Sequence, residues 1–257
     1  MVNTSSMKFK DHFSGQAGEY ATYRPTYPAE LYAYLAALAP HRELAWDCAT
    51  GNGQAALALA PHFAQIIATD ASQQQIQNAI PHPGITYEVR KAEDSGRATG
   101  SCDLITVAQA AHWLDLERFF AECQRVLKPG GVLAIWGYNL LTVDPLIDEI
   151  LWTFYSGIVG PYWPPERKLL EDRYATLPFP FDELQARPFK MTSFWCLADL
   201  IGYLNTWSAT QRFARQNGTN PIARIQDKLA VVWGTPETQK RIEWPLALRV
   251  GRAKPDA

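Results

Sequence analysis

Hydrophobic residues along the first half of the chain follow two alternating patterns. Short runs rich in Ile, Val, Leu and Trp end in small or acidic residues, which is typical of buried strands. These runs cover residues 44–49, 66–71, 85–92, 104–110 and 132–138. Between several of them lie stretches with helical spacing, so strands and helices alternate from Leu31 to Asn139. Such alternation predicts an α/β fold, with a parallel sheet covered on both faces by crossover helices.

The clearest helical pattern lies at residues 116–127, where apolar residues recur every three or four positions. The sequence Lys128-Pro129-Gly130-Gly131 follows this pattern directly. Because proline and glycine together end a helix, we expect the helix to stop there and the next strand to begin at Val132.

The pattern changes after Asn139. Residues 140–183 contain the dense run Gly160-Pro161-Tyr162-Trp163-Pro164-Pro165 and no clear strand. Residues 184–196 and 244–253 have extended patterns, and helical spacing lies between them. We therefore predict a core of residues 1–139, 184–196 and 244–257, with residues 140–183 and 197–243 forming a helical lid that helps to bind the substrate.

Composition narrows the class of protein. With 257 residues, 47% of them hydrophobic, and a formal net charge of −2, the chain has enough apolar material for a sizeable core. The near-neutral charge disfavours a nucleic-acid partner, and no run approaches a membrane span. No secretory signal is visible, so we expect a cytoplasmic protein. The four cysteines are far apart, so we expect no metal site. We also expect no obligate protein partner.

A glycine-containing loop is the strongest chemical signal. The predicted strand at residues 44–46 leads into residues 47–54, where Gly51 and Gly53 precede a helical stretch. Asp70 follows at the end of the next strand, where a carboxylate can accept hydrogen bonds from both hydroxyls of a ribose. The pattern Gly51-x-Gly53-x-x-Ala56 with Asp70 also fits a dinucleotide fingerprint, so an NAD(P)-dependent oxidoreductase remains an alternative.

Two further acidic positions favour another ligand. Asp47 suits a cationic, amine-bearing ligand and would repel a pyrophosphate. After the third strand, Ala92-Glu93-Asp94 offers a carboxylate for an adenine amino group. With Leu127-Lys128-Pro129-Gly130-Gly131 before the fifth strand, this ordered set resembles the motifs of class I S-adenosylmethionine-dependent methyltransferases. Ala49 stands where that family has the first glycine of its loop.

Several segments resemble one subgroup of that family, the trans-aconitate methyltransferase-like enzymes. They include residues 20–28, Ala111-His112-Trp113-Leu114-Asp115, residues 134–138, Gly160-Pro161-Tyr162-Trp163 and Thr206-Trp207-Ser208-Ala209. The resemblance implies a doubly wound, Rossmann-like mixed sheet of seven strands, the last one antiparallel. It also implies methyl transfer from S-adenosylmethionine to a carboxyl oxygen of a small acid, with S-adenosylhomocysteine as the product.

The resemblance and the loop together give a set of candidate site residues. For the cofactor they are Tyr20, Arg24, Asp47, Ala49, Gly51, Gly53, Asp70, Ala71, Ala92, Glu93 and Gln109. The candidate pocket walls are Tyr162, Trp163 and Trp207. The candidate catalytic residues, His112 and Trp113, follow the fourth strand, where we expect the methyl group of the donor. We expect His112 to position the substrate and Trp113 to form a wall of its pocket.

The chemistry of the acceptor decides what His112 must do. A carboxylate is already ionised at neutral pH and needs no general base. A hydroxyl acceptor is the alternative, and it would require His112 to remove a proton. Four lid arginines compete to bind the substrate acid, and the sequence does not choose among Arg167, Arg173, Arg212 and Arg215.

Overall fold

Alternating strands and helices build the first half of the fold around a central sheet. The structure, a computed structural model, describes residues 25–253. The elements of this half are α1 Ala29–Leu38, β1 Leu44–Cys48, α2 Gln54–Leu59, β2 Gln65–Asp70, α3 Gln73–Gln77, β3 Ile85–Val89, β4 Cys102–Ala108, α4 Leu116–Val126 and β5 Leu127–Tyr138. They confirm the predicted α/β fold.

The sheet has the strand order β3-β2-β1-β4-β5-β8-β6, in which β1 to β5 are parallel to one another. The last strand, β8 (Lys240–Arg252), pairs antiparallel with β5, as predicted. Its carboxyl-terminal part also pairs with β6 (Asp182–Leu184), and its first part with β7 (Lys190–Trp195).

The predicted sixth strand is therefore two short strands, and the sheet has eight strands instead of seven. Pro188 lies in the gap between β6 and β7. Because proline has no N–H to donate, it interrupts the ladder at that point. The strand β8 begins at Lys240, four residues earlier than predicted, since Ile242 and Trp244 alternate with exposed or half-buried neighbours and are fully buried.

The sequence Lys128-Pro129-Gly130-Gly131 lies inside β5 and not in a separate loop. The helix α4 ends at Val126, and Leu127 already pairs with Cys102. The register then shifts, and Gly130 has a φ of +75°. A side chain on Gly131 would lie 2.8 Å from the carbonyl oxygen of Lys128, so the tight bend requires glycine.

Helices fill the two connections that flank β6 and β7, and these segments, residues 140–181 and 196–239, are here called the lid. The first contains α5 Pro145–Trp152, a π-helical turn Thr153–Ile158, 3₁₀ turns at Gly160–Tyr162 and Pro165–Arg167, and α6 Lys168–Glu171. The second contains α7 Leu197–Asn205, α8 Ser208–Asn217, a 3₁₀ turn Pro221–Arg224 and α9 Gln226–Trp233. Within residues 25–253, no helix is long and apolar enough to cross a membrane.

Two hydrophobic clusters cover the two faces of the sheet, and neighbouring strand residues alternate between them. Ala45 belongs to one cluster and Trp46 to the other, and the same holds for Trp136 and Ile135. All four side chains are fully buried. The cluster that contains Trp136 continues into the lid through Phe154, so the lid and the sheet share one core.

Candidate active site

The strand order reverses direction between β1 and β4, and the candidate residues collect at the carboxyl ends of these strands. In open α/β sheets the crevice at such a switch point is the usual ligand site. Asp47 lies near the end of β1, and the loop after this strand carries Ala49 to Gly53. The strand β2 ends at Asp70, and the turn after β4 carries Gln109 to Trp113. Tyr20 and Arg24 lie outside the described residues.

The glycine loop uses its own N–H groups internally. The N–H of Thr50 donates to the Thr69 carbonyl at 2.9 Å, and that of Gly53 donates to the Thr50 carbonyl at 3.1 Å. The N–H of Gly51 donates to Oδ2 of Asp70 at 2.9 Å. A dinucleotide-binding loop offers such groups to a pyrophosphate. Here they are already bonded, and two carboxylates lie beside them.

The two glycines are constrained for different reasons. Gly51 has a φ of +59°, and a side chain there would meet only Oε1 of Gln75 at 3.8 Å. That open space fits a ligand lying against the loop. Gly53 has a φ of +91°, and a side chain there would collide with the hydroxyl group of Tyr87. The requirement at Gly53 therefore comes from the protein itself.

Ala49 also adopts the left-handed conformation, with a φ of +54°. An L-residue in this region costs roughly 1–2 kcal/mol relative to glycine. Alanine in place of glycine at this position thus strains the backbone, in addition to adding one methyl group.

Asp47 lies at the centre of the site and is fully buried. Its Oδ1 accepts a hydrogen bond from the Thr106 hydroxyl at 2.7 Å, and its Oδ2 accepts one from the Thr50 hydroxyl at 2.5 Å. Burial raises the pKa of Asp47 to about 6, and the nearby charge of Asp70 also raises it. A ligand cation would relieve both effects.

Asp70 is oriented by backbone groups on both of its oxygens. Oδ2 accepts from Gly51, and Oδ1 accepts from the N–H of Ser72 at 2.8 Å. A carboxylate has about four lone-pair sites and can accept several hydrogen bonds at once. Ala71, which follows Asp70, is half-buried beside it.

The other predicted cofactor residues have structural partners. Ala92 is buried, and Oε1 of Glu93 accepts a hydrogen bond from the N–H of Asp115 at 3.1 Å, which ties it to the start of α4. Gln109 has a φ of +57°. Its side-chain amide accepts from the N–H of Tyr138 at 2.7 Å and donates to the carbonyl of Tyr138 at 2.9 Å. Gln109 therefore joins the ends of β4 and β5.

His112 lies in a 3₁₀ turn, Ala111–Trp113, and only 7% of it is exposed. Its Nδ1 is 3.3 Å from the hydroxyl oxygen of Tyr174, and its ring centroid lies 4.7 Å from that of Trp113. Burial lowers the pKa of His112 to about 3, and the positive charge of Arg167 lowers it further. The imidazole is therefore neutral at physiological pH.

An aromatic cluster of the lid contains two of the three predicted pocket residues. The Trp163 ring lies 5.6 Å from that of Trp207 and 5.2 Å from that of Tyr155. Tyr162 instead packs on Phe213, with 5.0 Å between ring centroids. The π-helical turn carries Tyr155, and such turns are frequent at functional sites.

Of the four lid arginines, Arg167 joins this cluster. Its Cζ lies 4.1 Å from the centroid of the Trp163 ring. Nε donates to the Tyr155 hydroxyl at 2.9 Å, and Nη2 donates to Oδ1 of Asn139 at 2.8 Å. Arg212 donates to the carbonyl of Tyr162, and Arg215 donates to that of Gln211. Arg173 is exposed.

Sequence reasoning did not single out Asn139, Tyr155, Glu171 or Tyr174. Asn139 alone carried a signal, because it is a polar residue directly after a predicted strand end. The other three belong to the lid, where no motif marks which side chains face the sheet. Within residues 25–253, no group of three His, Cys, Asp or Glu side chains is placed to hold a metal ion.

Comparisons with known proteins extend over the sheet and the lid. A family described as a methyltransferase domain matches residues 46–135. A Dictyostelium discoideum protein assigned as a methyltransferase is 33% identical over 239 residues, which cover 91% of each chain. An uncharacterised methyltransferase of Mycobacterium tuberculosis is 30% identical over 224 residues, or 85% of each chain.

A solved structure is also similar along most of its length. It is assigned as a type II methyltransferase from Anaeromyxobacter dehalogenans and is 45% identical to this chain. The TM-score is 0.86, with 91% of this chain and 100% of that chain covered. The similarity therefore includes the lid as well as the sheet.

Proposed function

Given that this chain belongs to the methyltransferase domain family and is an S-adenosylmethionine-dependent methyltransferase, we propose that its methyl acceptor is a carboxylate oxygen of a small molecule. The acceptor is a free acid, as in the trans-aconitate methyltransferase-like enzymes, and not a nucleic acid, a membrane or a protein. The second product is S-adenosylhomocysteine. The location of the enzyme in the cytoplasm stays a prediction.

One observation carries the choice of a carboxylate. His112 is buried next to Arg167, and its pKa of about 3 leaves it a very weak base. A general base works best when its pKa lies near the working pH, so His112 is poorly suited to deprotonate a hydroxyl group. A carboxylate needs no base, and the guanidinium of Arg167 offers it a countercharge.

The residues that we assign to cofactor binding lie at the edge of the sheet. When bound, S-adenosylmethionine supplies an electrophilic methyl group on a positively charged sulfur. We assign Asp47 to its ammonium group, Asp70 to its ribose hydroxyls and the backbone at Gly51 to close packing against it. Ala49, Gly53, Ala71, Gln109 and the Ala92–Glu93 turn, the latter at the adenine end, complete the wall of that site.

The substrate role rests on the lid and on the turn after β4. Arg167 holds the acid, while neutral His112 orients it by a hydrogen bond. Trp113, Trp163 and Trp207 exclude water, and Tyr162 supports this wall through Phe213. Holding two reactants in line in a dry site is sufficient for a nucleophile that is already ionised.

Transfer of a labelled methyl group to a panel of acids and matched alcohols and phenols tests the proposal. The panel includes trans-aconitate, monocarboxylates and dicarboxylates. A methyl ester hydrolyses in mild base and releases volatile labelled methanol, whereas a methyl ether does not. We expect base-labile label on acids. Base-stable label on hydroxyl compounds alone would overturn the carboxylate assignment.

A further inference from the structure

We propose that Glu171 makes the substrate site selective for acids with a single carboxylate, carried on an apolar or aromatic body. This inference rests on the proposed function and narrows it. The carboxylate of Glu171 is the negative charge that lies near Arg167 in the lid. Neither the family match nor the resemblance in sequence assigns a role to Glu171.

Arg167 and Glu171 meet at one hydroxyl group. The Tyr155 oxygen accepts a hydrogen bond from Nε of Arg167 at 2.9 Å and donates its proton to Oε1 of Glu171 at 2.5 Å. Asn139, 3.0 Å from the same oxygen, also accepts from Arg167. The Tyr155 hydroxyl therefore lies between the positive charge of Arg167 and the negative charge of Glu171.

The charges of Arg167 and Glu171 both shift the pKa of Tyr155. Burial raises its pKa to about 12, while Arg167 lowers it and Glu171 raises it. Within residues 25–253, Arg167 is the one cation that shifts the pKa values of His112, Tyr155 and Tyr174. His112 itself is neutral. The described part of the site therefore offers an acid one positive charge, next to one fixed negative charge.

The remaining walls are aromatic. Trp163 and Trp207 pack on Tyr155, and Tyr174 is fully buried against His112. A first carboxylate has Arg167 as its partner. Among the described residues of this wall, a second carboxylate on the same molecule would meet aromatic rings and no cation, and it would be repelled by Glu171. Each additional charge therefore weakens binding of the substrate.

A matched pair of acids tests this selectivity. Cinnamate and 4-carboxycinnamate share one skeleton and differ by one charge, and trans-aconitate adds a tricarboxylate. For the unmodified enzyme we expect kcat/KM to be at least about tenfold higher for cinnamate than for 4-carboxycinnamate, with the difference in KM. Calorimetric titration of each acid into protein saturated with S-adenosylhomocysteine measures the same preference without turnover.

The variant Glu171→Gln removes the charge but keeps an oxygen that accepts from Tyr155. It is expected to reduce the preference by about tenfold, mainly by lowering KM for the dicarboxylate. Glu171→Asp retains the charge and should retain the preference. Glu166→Gln is the matched control, because Glu166 is exposed on the preceding turn. Thermal unfolding of each variant checks that the fold is intact.

Two results would overturn the inference. One is a dicarboxylate or trans-aconitate that binds better than cinnamate to the unmodified enzyme. The other is an unchanged preference in folded Glu171→Gln. Failure of the proposed function has a different signature, since in that case no acid acquires base-labile label in any variant while hydroxyl compounds are methylated.

Discussion

The edge of the sheet carries the carboxylates of Asp47 and Asp70, whereas the lid carries the guanidinium of Arg167 beside the carboxylate of Glu171. At the edge of the sheet, Asp47 and Asp70 are fixed by threonine hydroxyls and backbone N–H groups. In the lid, Arg167 is held by the neutral oxygens of Tyr155 and Asn139. An acid-lined half suits a cationic methyl donor, and an arginine-lined half suits an anionic acceptor. The two halves should therefore respond to different mutations.

The largest effect is expected from Arg167→Gln. Loss of the proposed charge-assisted hydrogen bond to the carboxylate should reduce kcat/KM for the acid about 100-fold, equivalent to about 3 kcal/mol. The dissociation constant of S-adenosylhomocysteine should stay unchanged, because Arg167 lies in the lid. Steady-state kinetics and calorimetry measure the two quantities.

Arg215→Gln is the control for Arg167, since Arg215 is exposed on α8. This substitution should change neither kcat/KM for the acid nor the dissociation constant of S-adenosylhomocysteine. Weaker cofactor binding in Arg167→Gln would show that the edge of the sheet and the lid do not act independently. Normal turnover in this variant would show that Arg167 does not bind the acid.

Asp70→Asn should give the reverse pattern. The substitution keeps the shape of the side chain and one acceptor oxygen but removes the charge from the hydrogen bonds that we propose Asp70 makes to the ribose. Affinity for S-adenosylhomocysteine should fall at least about tenfold, given roughly 1.5–3 kcal/mol for a hydrogen bond to a charged group. At saturating cofactor, KM for the acid should not change.

Asp182→Asn is the control for Asp70, because Asp182 is exposed on the edge strand β6, away from the carboxyl ends of the parallel strands. Calorimetry on the two proteins compares a charge in the site with a charge outside it. An unchanged dissociation constant for Asp70→Asn would reject the ribose assignment.

A smaller, pH-dependent effect is expected from Asp47, whose pKa is raised to about 6. If the carboxylate binds the ammonium group of the cofactor, affinity for S-adenosylhomocysteine should rise about tenfold between pH 5 and 7 as Asp47 ionises. Asp47→Asn should remove this dependence. A flat profile for the unmodified protein would contradict the assignment.

Stability of the ligand-free protein should change in the opposite direction. The native state holds the Asp47 proton more tightly than the unfolded chain does, so the unfolded chain binds fewer protons between about pH 4 and 6. The free energy of unfolding should therefore fall by about 3 kcal/mol as the pH rises through this window. Denaturant unfolding at several pH values measures this, with Asp47→Asn as the reference.

The edge of the sheet could be predicted from sequence because its geometry is local. A strand, a glycine turn and an acidic residue at the next strand end suffice to bring Asp47, Gly51 and Asp70 together. Hydrogen-bond partners were harder to foresee. The pairing of Gln109 with Tyr138 and the collision between Gly53 and Tyr87 depend on strands that are distant in sequence.

The lid could be predicted only as helical and aromatic. Its charge arrangement depends on a π-helical turn that orients Tyr155 and on packing that brings residues 139, 155, 167 and 171 together. No spacing rule selects Arg167 from the other three lid arginines. The split of the sixth strand at Pro188 was readable in principle, since proline cannot donate to a ladder.

The central claim is that His112 orients an already ionised acceptor and does not deprotonate it. Its most direct test is kcat at saturating S-adenosylmethionine and acid between pH 5 and 9, for the unmodified enzyme and for His112→Gln. Because the pKa of His112 is about 3, we expect a flat profile. Glutamine, which keeps a hydrogen-bond donor of similar reach, should retain most of the turnover. A rate that rises through a midpoint near 6.5 and falls roughly 10²–10⁴-fold in His112→Gln would instead identify a general base and contradict the claim.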